Sequence, residues 1–205
     1  MRFLITDRPS DATMGQFLEE LKRHQVHIVV RVCEPTYSVE ELKQHGIEVI
    51  DWEFPDGMSP PKEIRDRWIE LLKERFVAEP GTCIAVHCVA GLGRAPVLVA
   101  LALMEAGLQF EDAVDLIRQN RRGAINQKQL YYLEKYKSSG ELKRFRNGKR
   151  ERECVIISFT TSILDKVTCF SIPLQLFYMK CMKNLLFTVE FIEKESPSHY
   201  QLKEK

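Results

Sequence analysis

The chain has 205 residues, 44% of them apolar, which is enough for one domain with a sizeable core and an appendage. A formal net charge of +1 gives no overall pull toward nucleic acid, and no nucleic-acid partner is expected. Six cysteines without paired Cys-x2-Cys spacing predict neither a zinc site nor a secreted disulfide framework. Arg2 is followed only by the brief run Phe3-Leu4-Ile5, so no signal peptide is predicted and a reduced, cytoplasmic setting follows.

Arg2–Thr6 reads as a strand. Residues 11–25 place Met14, Phe17, Leu18 and Leu21 on one face, the pattern of an amphipathic helix. Residues 27–33 are a second core strand, and residues 40–45 a short helix stopped by Gly46. Residues 48–54 predict a further strand, running into Pro55-Asp56-Gly57-Met58-Ser59-Pro60-Pro61, whose turn-forming residues predict an exposed loop. Residues 63–79 carry Ile64, Trp68, Leu71, Leu72 and Phe76 at helical spacing and predict a core-facing helix.

Next comes a short apolar strand, Ile84-Ala85-Val86, then a turn, then residues 96–104, which are apolar all round as in a fully buried helix. Pro96 suits the first turn of that helix. Between strand and helix lie Cys88, Val89, Ala90, Gly91, Leu92, Gly93 and Arg94. A strand-to-helix turn of this size can aim successive backbone N–H groups inward, and the helix terminus adds partial positive charge. Gly91 and Gly93 are expected to supply positive φ and close backbone approach. The cup so formed fits three phosphate oxygens, with Arg94 closing it as a bidentate fork. Its field favours Cys88 as a thiolate, poised for in-line attack on phosphorus.

Two more helices follow, Phe110–Asn120 with Ala113, Val114, Leu116 and Ile117 inward, and residues 127–136 with Leu130 and Leu133 inward. Tyr131, Tyr132 and Tyr136 are expected to pack. Arg121 and Arg122 either widen the positive field at the cup or are simply solvated. Lys143, Arg144, Arg146, Lys149, Arg150 and Arg152 form a basic run, suited to anionic lipid head groups. Beyond it the character changes. Residues 155–164 and 167–179 are apolar runs too short to cross a bilayer, interrupted by Asp165, Lys166 and Pro173.

His87-Cys88-Val89-Ala90-Gly91-Leu92-Gly93-Arg94-Ala95-Pro96 resembles the signature of cysteine-based protein tyrosine phosphatases, and within them the phosphatases of regenerating liver, or type IVA. Arg31-Val32-Cys33-Glu34 and Arg121-Arg122-Gly123-Ala124-Ile125-Asn126 are similar to that branch too. The resemblance runs from residue 1 to about residue 152. It implies an α/β fold with a central, mostly parallel sheet flanked by helices, followed by an unrelated C-terminal extension. The expected division is a phosphatase domain at 1–140, a basic linker at 141–153 and a poorly ordered extension at 154–205. That family normally has one more strand before the first strand read here.

The resemblance also implies roles. Cys88 is the nucleophile, Val89 to Gly93 and Arg94 bind the phosphoryl group, and Asp56 is the general acid. Asp56 matches the second aspartate of the family's Trp-Pro-Phe-Asp-Asp-Gly loop, although Glu53 and Pro55 depart from that pattern. Such chemistry needs an acid to protonate the leaving oxygen; it needs no metal or other cofactor. Asp51 is read as a structural or loop-positioning carboxylate. Cys33 is expected to form a reversible disulfide with Cys88. Ala95 stands where the wider class carries a Ser or Thr hydroxyl that aids release of the thiolate, which implies slow turnover. The implied substrate is a phosphotyrosine protein or a phosphoinositide. The other reading is a phosphate-cup binding module, or pseudo-phosphatase, that regulates the cystathionine-β-synthase-pair domain of a cyclin M-type magnesium transporter. Homotrimers occur in the family. Cys154-Val155-Ile156-Ile157 resembles its prenylation box, but the box is internal here, so no lipid is expected on it. The expected location is cytoplasmic, with peripheral attachment at the inner face of the plasma membrane or endosomes.

Overall fold

A computed structural model describes residues 1–146 and 155–159. The chain divides into two units, Met1–Phe170 and Ser171–Lys205, and every described residue belongs to the first. In chain order the elements are β1 (Arg2–Thr6), α1 (Met14–Arg23), β2 (Val26–Arg31), α2 (Glu40–Gln44), β3 (Glu48–Asp51), α3 (Lys62–Ala78), β4 (Cys83–His87), α4 (Arg94–Glu105), α5 (Phe110–Asn120), α6 (Gln127–Lys135), α7 (Lys143–Arg146) and β5 (Val155–Phe159). Five strands form one sheet in the order β3-β2-β4-β1-β5, and every pair is parallel.

The sheet is buried on both faces because its central strands are apolar through their middles, and their period of two divides those residues between two cores. Phe3, Ile5, Ile28, Val30, Ile84 and Val86 face the larger core, built with α3, α4, α5 and α6. Leu4, Val29, Cys83 and Ala85 face the smaller one, closed by Met14, Phe17, Leu18 and Leu21 of α1 and Leu42 of α2. Helix α4 is buried along its whole length, as its all-round apolarity requires. Each of its leucines contributes about 1.5–3 kcal/mol by leaving water. Trp68 of α3 donates its indole N–H to the Leu98 carbonyl at 2.8 Å, so the largest buried side chain there has its polar atom satisfied.

Strand β3 is shorter than its sequence suggests and stops at Asp51. Trp52 N still donates to Arg31 O of β2 at 2.9 Å, and the Trp52 and Phe54 rings are buried in the core, which anchors the loop that follows. Tyr132 and Tyr136 pack against the larger core as expected, whereas Tyr131 is 62% exposed.

Two boundaries also move. The Glu105 carboxylate, fully buried, accepts hydrogen bonds from Tyr136 Oη, the N–H groups of Ser139, Gly140 and Glu141, and Ser139 Oγ. Burial opposes its charge, but donors from Tyr136, Ser139 and Glu141 hold it below the usual carboxylate range. Leu142 is buried in the main core, so the domain continues past residue 140. Residues 155–159, expected in a poorly ordered extension, instead lie parallel to β1 in register Arg2↔Val155 to Thr6↔Phe159. Val-Ile-Ile-Ser-Phe is a strand-forming sequence, and pairing covers the outer edge of β1. The remainder of the basic run at 147–152, Cys154 of the box and residues 160–205 lie outside the described residues.

Candidate active site

All five strands point the same way, so the loops after β1, β2, β3 and β4 meet at one edge of the sheet. There Cys88 follows β4 and Arg94 opens α4. Cys88 is 2% exposed and Arg94 1%.

The loop between them is held from outside by its carbonyls. Cys88 O meets His87 Nδ1 at 3.2 Å, and Val89 O accepts from Arg8 N at 3.0 Å. Arg121 donates to Ala90 O at 2.7 Å and to Gly91 O at 3.1 Å. Leu92 O accepts from Ile125 N at 2.7 Å, and Gly93 O from Val97 N at 3.2 Å. Among the described residues, no backbone N–H from Val89 to Gly93 donates to another protein group. Six tied carbonyls leave five amides without a protein partner, available to a tetrahedral oxyanion.

Gly91 sits at φ +66, and a Cβ there would run into the Arg121 guanidinium and the Thr6 carbonyl. Gly93 differs from expectation: its φ is −120, and a Cβ there would meet the Gln129 amide only at ordinary contact distance, 3.4 Å from Nε2. Arg121, 5% exposed, is neither solvated nor part of the cup's lining; it braces the cup from behind. Arg122 is exposed.

Arg94 Nη1 donates to Phe54 O at 3.1 Å, tying the loop that carries Asp56 to the start of α4. Its Nε stands 3.2 Å from Asp56 Oδ1, an ion pair without hydrogen-bond alignment. Asp56 is itself largely exposed. Glu34, which sequence reasoning did not single out, lies 3.8 Å from Arg94 Nη1. Cys33 lies just past β2, where Val32 N donates to His87 O at 3.0 Å, so Cys33 and Cys88 end neighbouring strands. Burial pushes the Cys33 thiol up to about 11, and it is protonated at neutral pH.

Behind Cys88 runs a polar chain, buried except at Asp51. Asp51 receives a bidentate fork from Arg31, at 2.6 Å and 2.9 Å. Arg31 Nη1 donates to Tyr37 O at 3.0 Å, and its guanidinium lies 4.5 Å from the centre of the Tyr37 ring. Tyr37 Oη is 2.7 Å from His87 Nε2. Cys88 O can only accept, so His87 carries its proton on Nδ1 and Tyr37 donates to Nε2. Burial depresses His87 from 6.5 to about 4, so it is neutral at pH 7. Because the unfolded imidazole takes a proton first as pH falls, the fold loses stability from about pH 6.5 down to about 4. His87 should account for about 2 kcal/mol of lost unfolding free energy between pH 7 and 5. Urea titrations of the wild type and His87→Gln at both pH values measure this: the variant should be flatter, and equal slopes would contradict the assignment.

Among the described residues no group of three or more His, Cys, Asp or Glu side chains could hold a metal ion. Nor is any described helix long and apolar enough to cross a membrane. What the arrangement offers is a thiol under an oxyanion cup, an arginine fork and a nearby carboxylate.

Residues 37–135 match the protein-tyrosine phosphatase family. The mouse protein tyrosine phosphatase type IVA 2 is 59% identical over 147 residues, covering 72% of this chain and 87% of that one. The PRL-1 phosphatase of Drosophila melanogaster is 57% identical over 150 residues, covering 73% of this chain and 85% of that one. A solved structure from Leishmania major, described as a protein tyrosine phosphatase, has 44% identity and a TM-score of 0.59, covering 66% of this chain and 87% of that one.

Proposed function

The chain belongs to the type IVA family of protein tyrosine phosphatases, and we propose the following division of labour within its cysteine-dependent site. The Cys88 thiolate attacks phosphorus in line, forming the S–P bond as the ester P–O bond breaks. Asp56 gives its proton to the leaving oxygen. In the second step it takes a proton from water, which attacks the phosphocysteine and releases phosphate with the Cys88 thiolate. The amides of Val89, Ala90, Gly91, Leu92 and Gly93 and the Arg94 fork hold the equatorial oxygens throughout. One observation carries this reading: every carbonyl of the loop is tied outward while its amides stay free.

The substrate is a phosphoprotein, with phosphotyrosine as the residue. Val89, Leu92 and Met58, each at least 40% exposed beside the cup, favour a protein face over a sugar head group. The same apolar rim supports docking of a magnesium-transporter domain and self-association into trimers. Exposed Lys143 and Arg144 of α7 support attachment of a cytoplasmic protein to anionic membranes at the plasma membrane or endosomes.

Cys33 serves as a resolving thiol. Peroxide oxidises the Cys88 thiolate to a sulfenic acid; Cys33 sulfur then displaces water from it, leaving a disulfide. Thiol mapping by mass spectrometry tests both roles. In the reduced chain, iodoacetamide at mildly acidic pH should modify Cys88 before the other cysteines, with vanadate protecting it. After mild peroxide a Cys33–Cys88 disulfide should appear, reversed by dithiothreitol. Even labelling of all cysteines would refute the cup; overoxidised Cys88 beside free Cys33 would refute the switch.

A further inference from the structure

Helix α6 begins at a capping box. Asn126 Oδ1 accepts from Gln129 N at 3.0 Å, and Gln129 Oε1 accepts from Asn126 N at 3.1 Å. This uses only the oxygen of each side-chain amide. Both NH2 groups reach the acid loop: Asn126 Nδ2 donates to Gly57 O at 3.0 Å, and Gln129 Nε2 to Met58 O at 3.0 Å. Gly57 directly follows Asp56, and its φ of +69 is a conformation that favours glycine. A helix start needs nothing of the kind, since Ser, Thr or Asp at the cap with Glu at the third position satisfies the box equally well.

The residue before the cap is also unusual. Ile125 has φ +68, a genuine outlier for a β-branched side chain. It is held there from both sides: its N–H donates to Leu92 O of the cup, and its carbonyl accepts from Arg118 Nη2 at 3.0 Å. Strain of this kind persists where surrounding contacts over-determine it. Together with Arg121, the connection between α5 and α6 grips the cup at the carbonyls of Ala90, Gly91 and Leu92, and the acid loop at those of Gly57 and Met58.

We propose that this connection sets the general acid over the nucleophile, with Asn126 and Gln129 as positioning residues that latch the acid loop to the cup. The proposal rests on the reading of Asp56 as the acid. Without the latch the acid drifts, and only the part of the reaction that needs its proton suffers. Loss of a general acid costs about 10²–10⁴-fold, so a displaced one should cost about tenfold.

Asn126→Ser and Asn126→Asp keep an acceptor for Gln129 N–H and hence the helix cap, but remove the donor to Gly57 O. Asn126 is exposed, so neither change disturbs the core. In the full chain, kcat/KM is measured with phenyl phosphate, whose leaving group needs protonation, and with difluoromethylumbelliferyl phosphate, whose leaving group does not. Both variants should lose about tenfold on phenyl phosphate and at most about twofold on the activated ester, and should add no loss in an Asp56→Asn background. The iodoacetamide rate at Cys88 should be unchanged. Equal losses on both esters, or full additivity with Asp56→Asn, would overturn the latch. An Asp56→Asn variant that itself loses equally on both esters would remove the acid assignment, and the latch with it. A leaving-group-sensitive Asp56→Asn beside an insensitive Asn126 pair would remove the latch alone.

Discussion

Cys88→Ser should lower turnover of aryl phosphates by at least about 10⁴-fold while the chain stays folded and still binds oxyanions. The serine hydroxyl keeps its proton at neutral pH and is far the weaker nucleophile, but nothing else at the site changes. Cys88 is nearly buried, and oxygen in place of sulfur is slightly smaller, so packing is little disturbed. The five amides and the Arg94 fork remain, and with them affinity for phosphotyrosine or vanadate. Steady-state turnover with vanadate binding measured alongside checks both halves. Turnover within tenfold of wild type would show that Cys88 is not the nucleophile; lost vanadate binding would show that the cup does not stand on its scaffold.

Ala95→Ser should raise the steady rate by about tenfold and leave the first turnover nearly unchanged. The second chemical step expels the Cys88 thiolate from phosphorus, and charge grows on sulfur as it leaves. Ala95, directly after Arg94 and fully buried, brings no hydroxyl to that charge. A missing donor to developing charge commonly costs about 10²–10³-fold. The loss here is smaller because the amide cup still faces the sulfur. Steady-state kcat compared with the single-turnover rate measures the effect, and equal acceleration of both would contradict it.

The site's chemistry is legible in the sequence because it is local. Cys88 to Arg94 lie between a strand and a helix that both announce themselves by apolar runs, and the spacing of those two elements dictates the turn. The parallel sheet is equally legible from the same runs. What holds the turn in place is not. Arg121, Ile125, Asn126 and Gln129 approach the cup and the acid loop from roughly 30 to 70 residues away, and their work is done on backbone carbonyls, which every residue has. The glycines illustrate the limit: both lie in the turn, yet Gly91 is required for its positive φ and its closeness to Arg121 and Thr6, whereas a Cβ at Gly93 would find room beside Gln129. Asp51 could be recognised as structural, but its route to Cys88 through Arg31, Tyr37 and His87 depends on two neighbouring strands and the loop after β2. Residues 155–159 do not declare themselves in the sequence, because only the free edge of β1, a property of the whole sheet, decides whether a short apolar run is tail or strand.

The central claim is that phosphate leaves its ester by way of Cys88 sulfur and lingers there. A rapid-quench time course with an activated aryl phosphate, followed by mass analysis of the acid-stabilised Cys88 peptide, tests it directly. The expected result is a burst of phenol approaching one equivalent of enzyme, then a slow steady rate, with phosphate on Cys88 accumulating in step with the burst. A linear course without a burst, and a Cys88 peptide free of phosphate throughout, would contradict it.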